Sequence, residues 1–599
     1  MSENNVHVQP WRLESMKYVL LAICLVIFAW TIHFQFLPEA ADLKREGDLY
    51  HGVWLPIDPP RGLIYDRNGN LIAGNKIVYE VGIELQFKGT PEAIARVLNA
   101  TLGIDYQEAL EAVNIEYDEK KAVYAVVQRG VPSEQAEELN AILVDWAENY
   151  NGRKDEDSLR GVVMFPYLAR TYPEKTTGSN MLGFVNAEGN GFYGLEQRYD
   201  NVLSGVSREV FIPANPNYAS ELPDIPPGST LLLTIDREVQ AMVEQELDAA
   251  MDKFEAESAS AVILDPKTGE IIAMATSPRL DINEFWRFKE VFPGATPFNR
   301  PLSQTFEPGS VMKVFSMASA VEMDAVQLDT VFFDTGYFDY GGIVVQNWDR
   351  LAHGEVNMIG CLQHSLNVCL AWVGTQMGAD NFYNYMDAFG FGRYTGVDLA
   401  GESTGRLKEP GDSDWYPADL VTNTFGQGVS VTALQIAAAA GALANGGDIM
   451  VPHVVKAFID NGVKVDVGPV VLRSPISAET ADAMTEALAI SLETESSLAL
   501  VKNYRVAGKT GTAEIPGGDG YLENETNVSF LGYGPVEDPR FVVYVWLEQP
   551  SPAGGSDTPW GSEIAAPVFS SIVDRLVVLM KIPPDHVREQ LGMTEIDGN

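Results

Sequence analysis

The chain has 599 residues, too many for one hydrophobic core, so two or three domains are expected. Its 41 Lys and Arg residues against 83 Asp and Glu residues give a formal net charge of −42, which argues against nucleic acid as a partner because the phosphates would be repelled. The hydrophobic content of 46% is ordinary for globular proteins and excludes wholesale disorder.

The first predicted element is a membrane-spanning helix over residues 18–37, which read YVLLAICLVIFAWTIHFQFL. A mostly apolar run of this length without Asp, Glu, Lys or Arg suffices to span the hydrocarbon core of a bilayer. The alternative is a signal peptide cleaved near Ala40-Ala41, but the run is longer than a usual signal core and Glu39 disfavours the site. We therefore expect an uncleaved, single-pass anchor that follows a tail of residues 1–17.

Between the anchor and residue 228, the stretch from about residue 90 to residue 150 shows no pattern that indicates chemistry. The run Pro59–Leu71 places an Asn-Gly pair between two β-prone stretches, which predicts a hairpin. Apolar residues at helical spacing then predict helices at Pro91–Leu102 and Ser133–Ala147.

Two charged residues and a proline-rich stretch end this first half. Arg170 and Glu196 form either an ion pair between domains or two separate solvated charges. Phe211–Ser229 holds five prolines and has no periodicity, which predicts a domain boundary. A second domain over residues 229–582 and a polar tail over residues 583–599 follow.

The second half mixes strands and helices. Asp236 is placed as the N-cap of a helix whose apolar residues share one face. Strands are predicted at Ala259–Leu264, Glu270–Ala275, Asn527–Tyr533 and Phe541–Leu547, and a last helix at Ile564–Met580. The pattern predicts an α+β fold with an antiparallel sheet covered by helices and a second helical cluster.

The central motif is Phe306–Lys313, which reads FEPGSVMK. The Pro-Gly pair and the apolar run after it predict a turn that feeds a helix, with Ser310 near its first position. Residues three apart share a helix face, so the Ser310 hydroxyl and the Lys313 amine can meet. Lysine activates a serine only when burial or a neighbouring cation lowers its pKa. An isolated Ser-x-x-Lys is more often a helix cap beside a solvated lysine.

The triplet of Ser365, Leu366 and Asn367 lies between two apolar helical patterns. Its plain interpretation is a polar turn that breaks a helix, and its functional one is a hydroxyl and an amide at a cleft wall. Cys361 and Cys369 flank it, and in a continuous helix their eight-position separation spans about 12 Å, too far for a disulfide. We therefore expect all three cysteines to be free thiols.

Asp349, His353, Cys361 and His364 are close in sequence and are candidate metal ligands. Their spacing is not that of a compact zinc motif, so polar loop residues and buried thiols are the favoured interpretation. No metal and no cofactor are expected.

A third motif, VAGKTGTAE, contains Lys509, Thr510, Gly511 and Thr512. It predicts a strand whose glycine lets a ligand or another backbone come close. Lys509 would bind a carboxylate and help to keep Lys313 neutral, and the two threonine hydroxyls would bind the same carboxylate. The spacing does not fit a phosphate-binding loop.

The three motifs occur in the order typical of the penicillin-recognising serine enzymes, and the chain resembles class B penicillin-binding proteins. The runs Arg61–Gly69 and Gly191–Asp200 are also similar to sequence boxes of that family. Phe425–Gly428 and Phe530–Pro535 resemble the division-type (FtsI-like) branch more than the elongation type.

The resemblance implies acyl transfer. Ser310 would attack the D-alanyl-D-alanine end of a peptidoglycan stem peptide, with Lys313 as the favoured base, and β-lactams would mimic that substrate. Ser365 would pass a proton, and Asn367 would bind the substrate peptide. The backbone N–H groups of Ser310 and Thr512 would form the oxyanion hole.

The resemblance also implies an architecture and a location. Residues 38–228 would be a dimerisation or pedestal domain and residues 229–582 the transpeptidase domain. Because the substrate lies outside the cytoplasmic membrane, residues 1–17 would be cytoplasmic and the catalytic part extracytoplasmic. A membrane glycosyltransferase and other cell-wall or division proteins would be partners.

Three other functions stay open from sequence. The first is an elongation-type transpeptidase. The second is a D,D-carboxypeptidase or β-lactamase, for which Glu402 or Glu409 would activate water. The third is a scaffold with little turnover, whereas a sensor role is disfavoured because the cytoplasmic tail is short.

Overall fold

The computed structural model describes residues 10–35, 44, 45, 47, 52–149, 157–213, 225–292, 298–494, 498–517, 520–553, 555 and 557–592. The helices in chain order are α1 (Pro10–Gln35), α2 (Pro91–Leu102), α3 (Tyr106–Asn114), α4 (Ser133–Asn149), α5 (Ser179–Leu182), α6 (Gly194–Arg198), α7 (Asp200–Leu203), α8 (Arg237–Phe254), α9 (Phe288–Val291), α10 (Arg300–Ser303), α11 (Met312–Glu322), α12 (Met358–Gln363), α13 (Asn367–Met377), α14 (Ala379–Phe389), α15 (Pro417–Asn423), α16 (Ala433–Ala444), α17 (Ala478–Thr494), α18 (Ala565–Leu579) and α19 (Asp585–Gln590).

The strands in chain order are β1 (Gly52–Ile57), β2 (Ile64–Tyr65), β3 (Leu71–Glu84), β4 (Tyr124–Pro132), β5 (Val162–Thr171), β6 (Phe184–Val185), β7 (Gly191–Phe192), β8 (Arg208–Pro213), β9 (Thr230–Leu233), β10 (Ser258–Leu264), β11 (Ile271–Ser277), β12 (Val331–Asp334), β13 (Tyr337–Tyr340), β14 (Ile343–Gln346), β15 (Gly354–Asn357), β16 (Ile449–Met450), β17 (Val455–Asp460), β18 (Val463–Asp466), β19 (Val471–Arg473), β20 (Ala507–Gly517), β21 (Gly520–Gly534) and β22 (Phe541–Glu548).

The first compact unit consists of residues 1–60 and 205–227. Its helix α1 contains the predicted anchor: Glu14–His33 is long and apolar enough to cross a bilayer, with a mean hydropathy of 2.0. The last two residues of the predicted span, 36 and 37, lie outside the described residues. The unit also contains a two-stranded antiparallel sheet of β1 and β8.

The second unit consists of residues 61–204 and 228–599 and contains a seven-stranded sheet. The strand order is β18-β17-β9-β2-β3-β4, and β5 also pairs with β3. The predicted hairpin is present as β2 and β3. Strand β9 pairs in parallel with β2, with Leu231 opposite Ile64. The boundary predicted at residues 211–229 includes the point where the chain passes from the first unit, at residue 227, to the second, at residue 228.

Helices α2, α3 and α4 cover one part of this sheet, beside β3 and β4. Two of them are the helices predicted at residues 91–102 and 133–147. Their apolar faces share a core with the strands, formed among others by Val81, Ile83, Ile94, Leu98 and Val131. These contacts explain why the helical periodicity was readable from sequence.

A buried charge network lies within residues 61–204. Arg170 Nε contacts Glu196 Oε1 at 2.7 Å, so the predicted ion pair forms, and both side chains are almost fully buried. It does not join two domains, and the alternative of solvated charges is wrong. Arg61 Nε binds the other carboxylate oxygen of Glu196, also at 2.7 Å, and this second arginine was not predicted.

The five-stranded antiparallel sheet has the order β11-β10-β22-β21-β20 and helices on both faces. Side chains along β22 alternate between the two faces, as the period of a strand requires. Val543, Val545 and Leu547 join the core with α8 and α18, whereas Val542, Tyr544 and Trp546 join the core with α11, α13, α14, α16 and α17. The predicted α+β fold, with a covered sheet and a second helical cluster, is confirmed.

Two details at the edges of this domain test local predictions. Asp236 caps α8, because its Oδ1 accepts the N–H of Glu238 at 3.0 Å, as predicted. The predicted polar tail begins with α19, whose Arg588 is 3% exposed and binds Glu537 at 2.8 Å. The first part of the tail is therefore packed against the domain.

Candidate active site

The turn that carries Ser310 forms the floor of the site. Ser310 lies in the one-turn 3₁₀ helix Gly309–Val311, which runs into α11 as predicted. Gly309 has a φ of +55°, and a Cβ atom there would lie 2.5 Å from the carbonyl oxygen of Thr512 in β20. Its N–H donates to the carbonyl oxygen of Gly426 at 3.2 Å. Only glycine lets the serine turn fit between that loop and β20.

One wall of the site is β20, which carries the third motif from Lys509 to Thr512 as the predicted strand. It is the last strand of the five-stranded sheet, so no further described strand pairs with its outer edge. A Cβ atom at Gly511 would lie 2.2 Å from Ser529 Oγ and 2.9 Å from Val311 Cγ2. Glycine thus brings the strand against the turn that carries the serine.

The opposite wall is the turn between α12 and α13, which the second motif forms. The two helices are those predicted on either side of Ser365. Ser365 has a φ of +53°, a left-handed conformation that costs a non-glycine residue free energy. The turn directs the Ser365 hydroxyl toward Ser310, at an Oγ–Oγ distance of 3.0 Å.

Hydrogen bonds join the predicted catalytic side chains. Lys313 Nζ donates to the Ser365 carbonyl oxygen at 2.6 Å and to Asn367 Oδ1 at 2.7 Å, and it lies 3.1 Å from Ser365 Oγ. Lys509 Nζ donates to Ser365 Oγ at 3.1 Å. The bonds from Ser310 to Lys313 thus run through Ser365, a connection that the i, i+3 spacing does not reveal.

The electrostatics of the site favour a neutral Lys313. The side chain is fully buried. Its burial, and then the positive charge of Lys509, lower the pKa of Lys313 well below its ordinary value. With two N–H groups directed to the Ser365 carbonyl and to Asn367, the lone pair of the neutral amine is left for the Ser365 hydroxyl.

The prediction of free thiols is wrong for Cys361 and Cys369, which form a disulfide. Their Cα atoms are 6.1 Å apart, not the roughly 12 Å of a continuous helix. The reason is that α12 ends at Gln363 and the chain turns at Ser365 before α13 begins. The disulfide therefore closes the turn that carries the Ser365 hydroxyl, while Cys24 in α1 is a free cysteine.

The four candidate metal ligands do not converge on one point. His353 Nε2 lies 2.9 Å from Asp349 Oδ2, and the His353 and His364 rings stack at 5.3 Å. Cys361 is in the disulfide. Among the described residues, no three His, Cys, Asp or Glu side chains are grouped so as to hold a metal ion.

Ser310, Ser365, Asn367, Lys509, Thr510 and Thr512 all line one cavity of about 1140 Å³. Several lining residues were not predicted. Trp348 and Trp560 contact each other edge to face at 5.1 Å, and Gln427 donates to Glu514 at 2.9 Å. Gln427 belongs to the Phe-Gly-Gln-Gly run, whose pattern indicates no role for it, and nothing near Trp560 in sequence indicates a site.

Two family profiles match the chain. One, described as "Penicillin binding protein transpeptidase domain", matches residues 259–574. The other, described as "Penicillin-binding Protein dimerisation domain", matches residues 56–217.

Individual proteins are similar over most of the chain. Stage V sporulation protein D of Bacillus subtilis is 33% identical over 87% of this chain and 78% of its own length. Peptidoglycan D,D-transpeptidase FtsI of Escherichia coli is 28% identical over 97% of this chain and 94% of its own length. The crystal structure of penicillin binding protein 2X from Streptococcus thermophilus has a TM-score of 0.69 at 22% identity, covering 88% of this chain and 80% of that one, which shows a shared fold.

Proposed function

This chain belongs to the class B penicillin-binding proteins, and from that premise we propose that it is a serine D,D-transpeptidase that cross-links peptidoglycan stem peptides. The observation that carries the proposal is the hydrogen-bonded path from Ser310 through Ser365 to the buried Lys313. We also propose that the dimerisation domain ends at residue 228, between the two matched profiles.

Acylation follows from this path. Ser310 Oγ attacks the carbonyl carbon of the penultimate D-alanine as its proton passes to Ser365 Oγ, and the Ser365 proton passes to the lone pair of Lys313. The C–N bond to the terminal D-alanine then breaks. Lys313 returns the proton through Ser365 to the departing amine, and Ser310 is left as an ester.

Cross-linking is the same path run in reverse on the ester. An amine of a second stem peptide attacks the ester carbonyl and loses a proton toward Ser365 and Lys313. A new amide bond forms, the bond from the carbonyl carbon to Ser310 Oγ breaks, and Ser310 recovers its proton. A β-lactam forms the first ester by opening its ring, so its amine stays attached and blocks the second step.

The oxyanion is bound by two backbone N–H groups in this proposal, those of Ser310 and Thr512. The close packing at Gly309 and Gly511 supports this, because it fixes the serine turn against β20. Donors that are fixed before the reaction stabilise the negative charge of the tetrahedral intermediate without reorganising.

The substrate is held between the two walls. Lys509, Thr510 and Thr512 bind the terminal carboxylate, because they present an ammonium and two hydroxyls to the cavity. The stem peptide extends along the free edge of β20. Asn367 Nδ2 donates to the Gln346 carbonyl at 3.1 Å, which leaves its second amide hydrogen for a substrate carbonyl.

The catalytic part lies on the extracytoplasmic side of the cytoplasmic membrane in this proposal. Its substrate is there, and the Cys361–Cys369 disulfide supports the assignment because disulfides persist in oxidising compartments. The candidate span in α1 keeps the enzyme at the membrane, where a membrane glycosyltransferase and other cell-wall proteins are the expected partners.

The physiological role that we propose is wall synthesis at division. The similarity to E. coli FtsI extends over 97% of this chain. A role in sporulation is the second candidate, because the identity to stage V sporulation protein D of B. subtilis is higher, at 33%. A fluorescent fusion in the organism that encodes the chain separates these roles from the elongation alternative: division predicts midcell signal, elongation predicts lateral signal, and a sporulation role predicts signal only in sporulating cells.

The test of the enzymatic proposal is labelling of the full chain with a fluorescent penicillin, beside Ser310→Ala, with mass spectrometry to locate the adduct. A stable adduct on Ser310 that the variant lacks is the expected result. No adduct on folded protein would contradict serine acylation, and fast labelling followed by loss would indicate a hydrolase. Against hydrolysis, neither Glu402 nor Glu409 is among the residues that line the cavity with Ser310. Glu402 Oε1 instead accepts from the backbone N–H and the hydroxyl of Thr395.

A further inference from the structure

The seven-stranded sheet ends in an open edge at β18, Val463–Asp466. Beyond β17, no described strand pairs with it. Every residue of β18 is exposed. The exposed surface here is also apolar, and its valines are Val463, Val465, Val467, Val470 and Val471. An open strand edge beside exposed valines is a surface on which another strand can pair.

The pairing of β18 with β17 fixes which of its backbone groups face outward. The two strands are antiparallel, with Val465 opposite Phe458, and the N–H of Val467 donates to the carbonyl oxygen of Lys456 at 2.8 Å. In an antiparallel ladder alternate residues point their N–H and C=O to the same side. The backbone groups of the odd-numbered residues therefore face β17, and those of Lys464 and Asp466 face the open edge.

We propose that the open edge of β18 pairs with β18 of a second copy of this chain, antiparallel and across a two-fold axis. Only registers that place outward residues opposite each other form hydrogen bonds. Lys464 opposite Lys464, or Asp466 opposite Asp466, places like charges together, which is destabilising. Lys464 opposite Asp466 of the second copy gives two cross-strand ion pairs, so the charges of the strand select this one register.

The side chains of the strand fit the same register. Lys464 and Asp466 are on one face, where they already form an ion pair at 2.6 Å. Val463, Val465 and Val467 lie on the other face, and pairing sets them against the valines of the second copy. Val465 lies opposite Val465 of the second copy on the two-fold axis, and Val463 lies opposite Val467 of the second copy. A lone lysine on an edge strand usually disfavours pairing with another strand. Here Asp466 of a second copy lies opposite Lys464, so pairing of β18 with β18 is not disfavoured by that charge.

The membrane anchor favours this association. A four-residue strand buries little surface, so the contact is weak in dilute solution. Both copies carry α1, and confinement to one membrane raises their effective concentration. A two-fold axis makes the interface closed, so pairing stops at a dimer and does not continue as a fibre.

Cysteine cross-linking tests the register. In the full chain with Cys24→Ser, Val465→Cys is placed on the axis, where Cβ atoms of a non-hydrogen-bonded pair come within disulfide range. Mild oxidation in membranes should give a cross-linked dimer. Val463→Cys is the matched control. In the proposed register it lies opposite Val467 of the second copy, so the two introduced cysteines are four residues apart along the strand and cannot form a disulfide. The proposal is overturned if the two variants cross-link equally or if neither does.

Charge exchange tests the partner. In membranes, the Val465→Cys cross-link should form about tenfold more slowly when Lys464→Asp or Asp466→Lys is added, because each places like charges opposite each other. Adding both changes restores the complementary pairs, so the rate of cross-linking should recover. If the double variant cross-links as slowly as the single ones, β18 does not pair with itself. Penicillin labelling should be the same in every variant, which confirms that each one folds.

Discussion

The two walls that meet at Ser310 are built by different means. The strand wall is β20, which backbone pairing holds to β21 from Ala507 to Gly517 and which glycine brings close to the serine turn. The turn wall is the α12–α13 connection, where a left-handed Ser365, a disulfide and the bonds of Lys313 fix the geometry. Side chains thus position the turn wall and the backbone positions the strand wall, so truncations in the turn wall should be the more harmful.

The largest effect is expected at the base that joins the turn wall to the serine. Lys313→Ala removes the proton acceptor and the donor to the Ser365 carbonyl, so the second-order rate of penicillin acylation should fall about 10³-fold. Lys502→Ala, at an exposed lysine, is the matched control. A loss of less than tenfold would show that another group accepts the proton.

The next effect separates the hydroxyl of the turn wall from its backbone. Ser365→Ala removes the hydroxyl from a left-handed position, whereas Ser365→Gly removes it and relieves the backbone. If the hydroxyl carries the proton, both variants should acylate about 10²-fold more slowly, although the glycine variant melts at the higher temperature. Recovery of activity in the glycine variant alone would instead assign the role of Ser365 to turn geometry.

The strand wall influences the turn wall through charge. Because burial and Lys509 lower the pKa of Lys313, wild-type acylation should rise with pH and level off well below the ordinary lysine pKa. Lys509→Met removes a repelling charge, so the pKa of Lys313 rises and the midpoint of the pH–rate profile moves to higher pH. The acylation rate should also fall about tenfold, because the variant loses the contact of Lys509 with the substrate carboxylate. An unshifted or lowered midpoint would contradict the coupling of the two lysines.

The smallest effect is expected from opening the disulfide. Cys361→Ser with Cys369→Ser removes the closure around Ser365, so acylation should slow about three- to tenfold and stability should fall by about 2–3 kcal/mol. Cys24→Ser in the anchor changes neither quantity and is the control. An unchanged acylation rate beside a lowered melting temperature would limit the disulfide to a purely structural role.

Elements specified by local patterns could be predicted from sequence. The strands around residues 259–264 and 541–547 are apolar runs between turns, and Asp236 caps its helix as its position before an apolar face indicates. The side chains that the hydrogen bonds join, those of Ser310, Lys313 and Ser365, could also be named from sequence, because each belongs to a short motif. Their arrangement could not: the i, i+3 spacing suggested a direct contact of Ser310 with Lys313, whereas the described bonds pass through Ser365.

The remaining features depend on contacts between residues distant in sequence or on a change of backbone direction. The disulfide was missed because helical rise was extended across a turn that sequence did not locate. Arg61 lies 135 positions before its partner Glu196, and no local pattern joins them. Trp560, which precedes Gly561, lines the cavity, and Gly561 packs so closely on Gly511 that a Cβ atom at Gly561 would lie 2.3 Å from the Gly511 carbonyl oxygen.

The seven-stranded sheet has a consequence for anyone who shortens this protein. A recombinant fragment that starts at residue 229 retains every catalytic motif but deletes β2, the strand that lies between β9 and β3. It would leave the fully buried Leu231 without its parallel neighbour, and Glu270 without Arg67, which contacts it at 2.6 Å. We therefore expect a fragment of residues 229–599 to be less stable than a form from which α1 alone is removed.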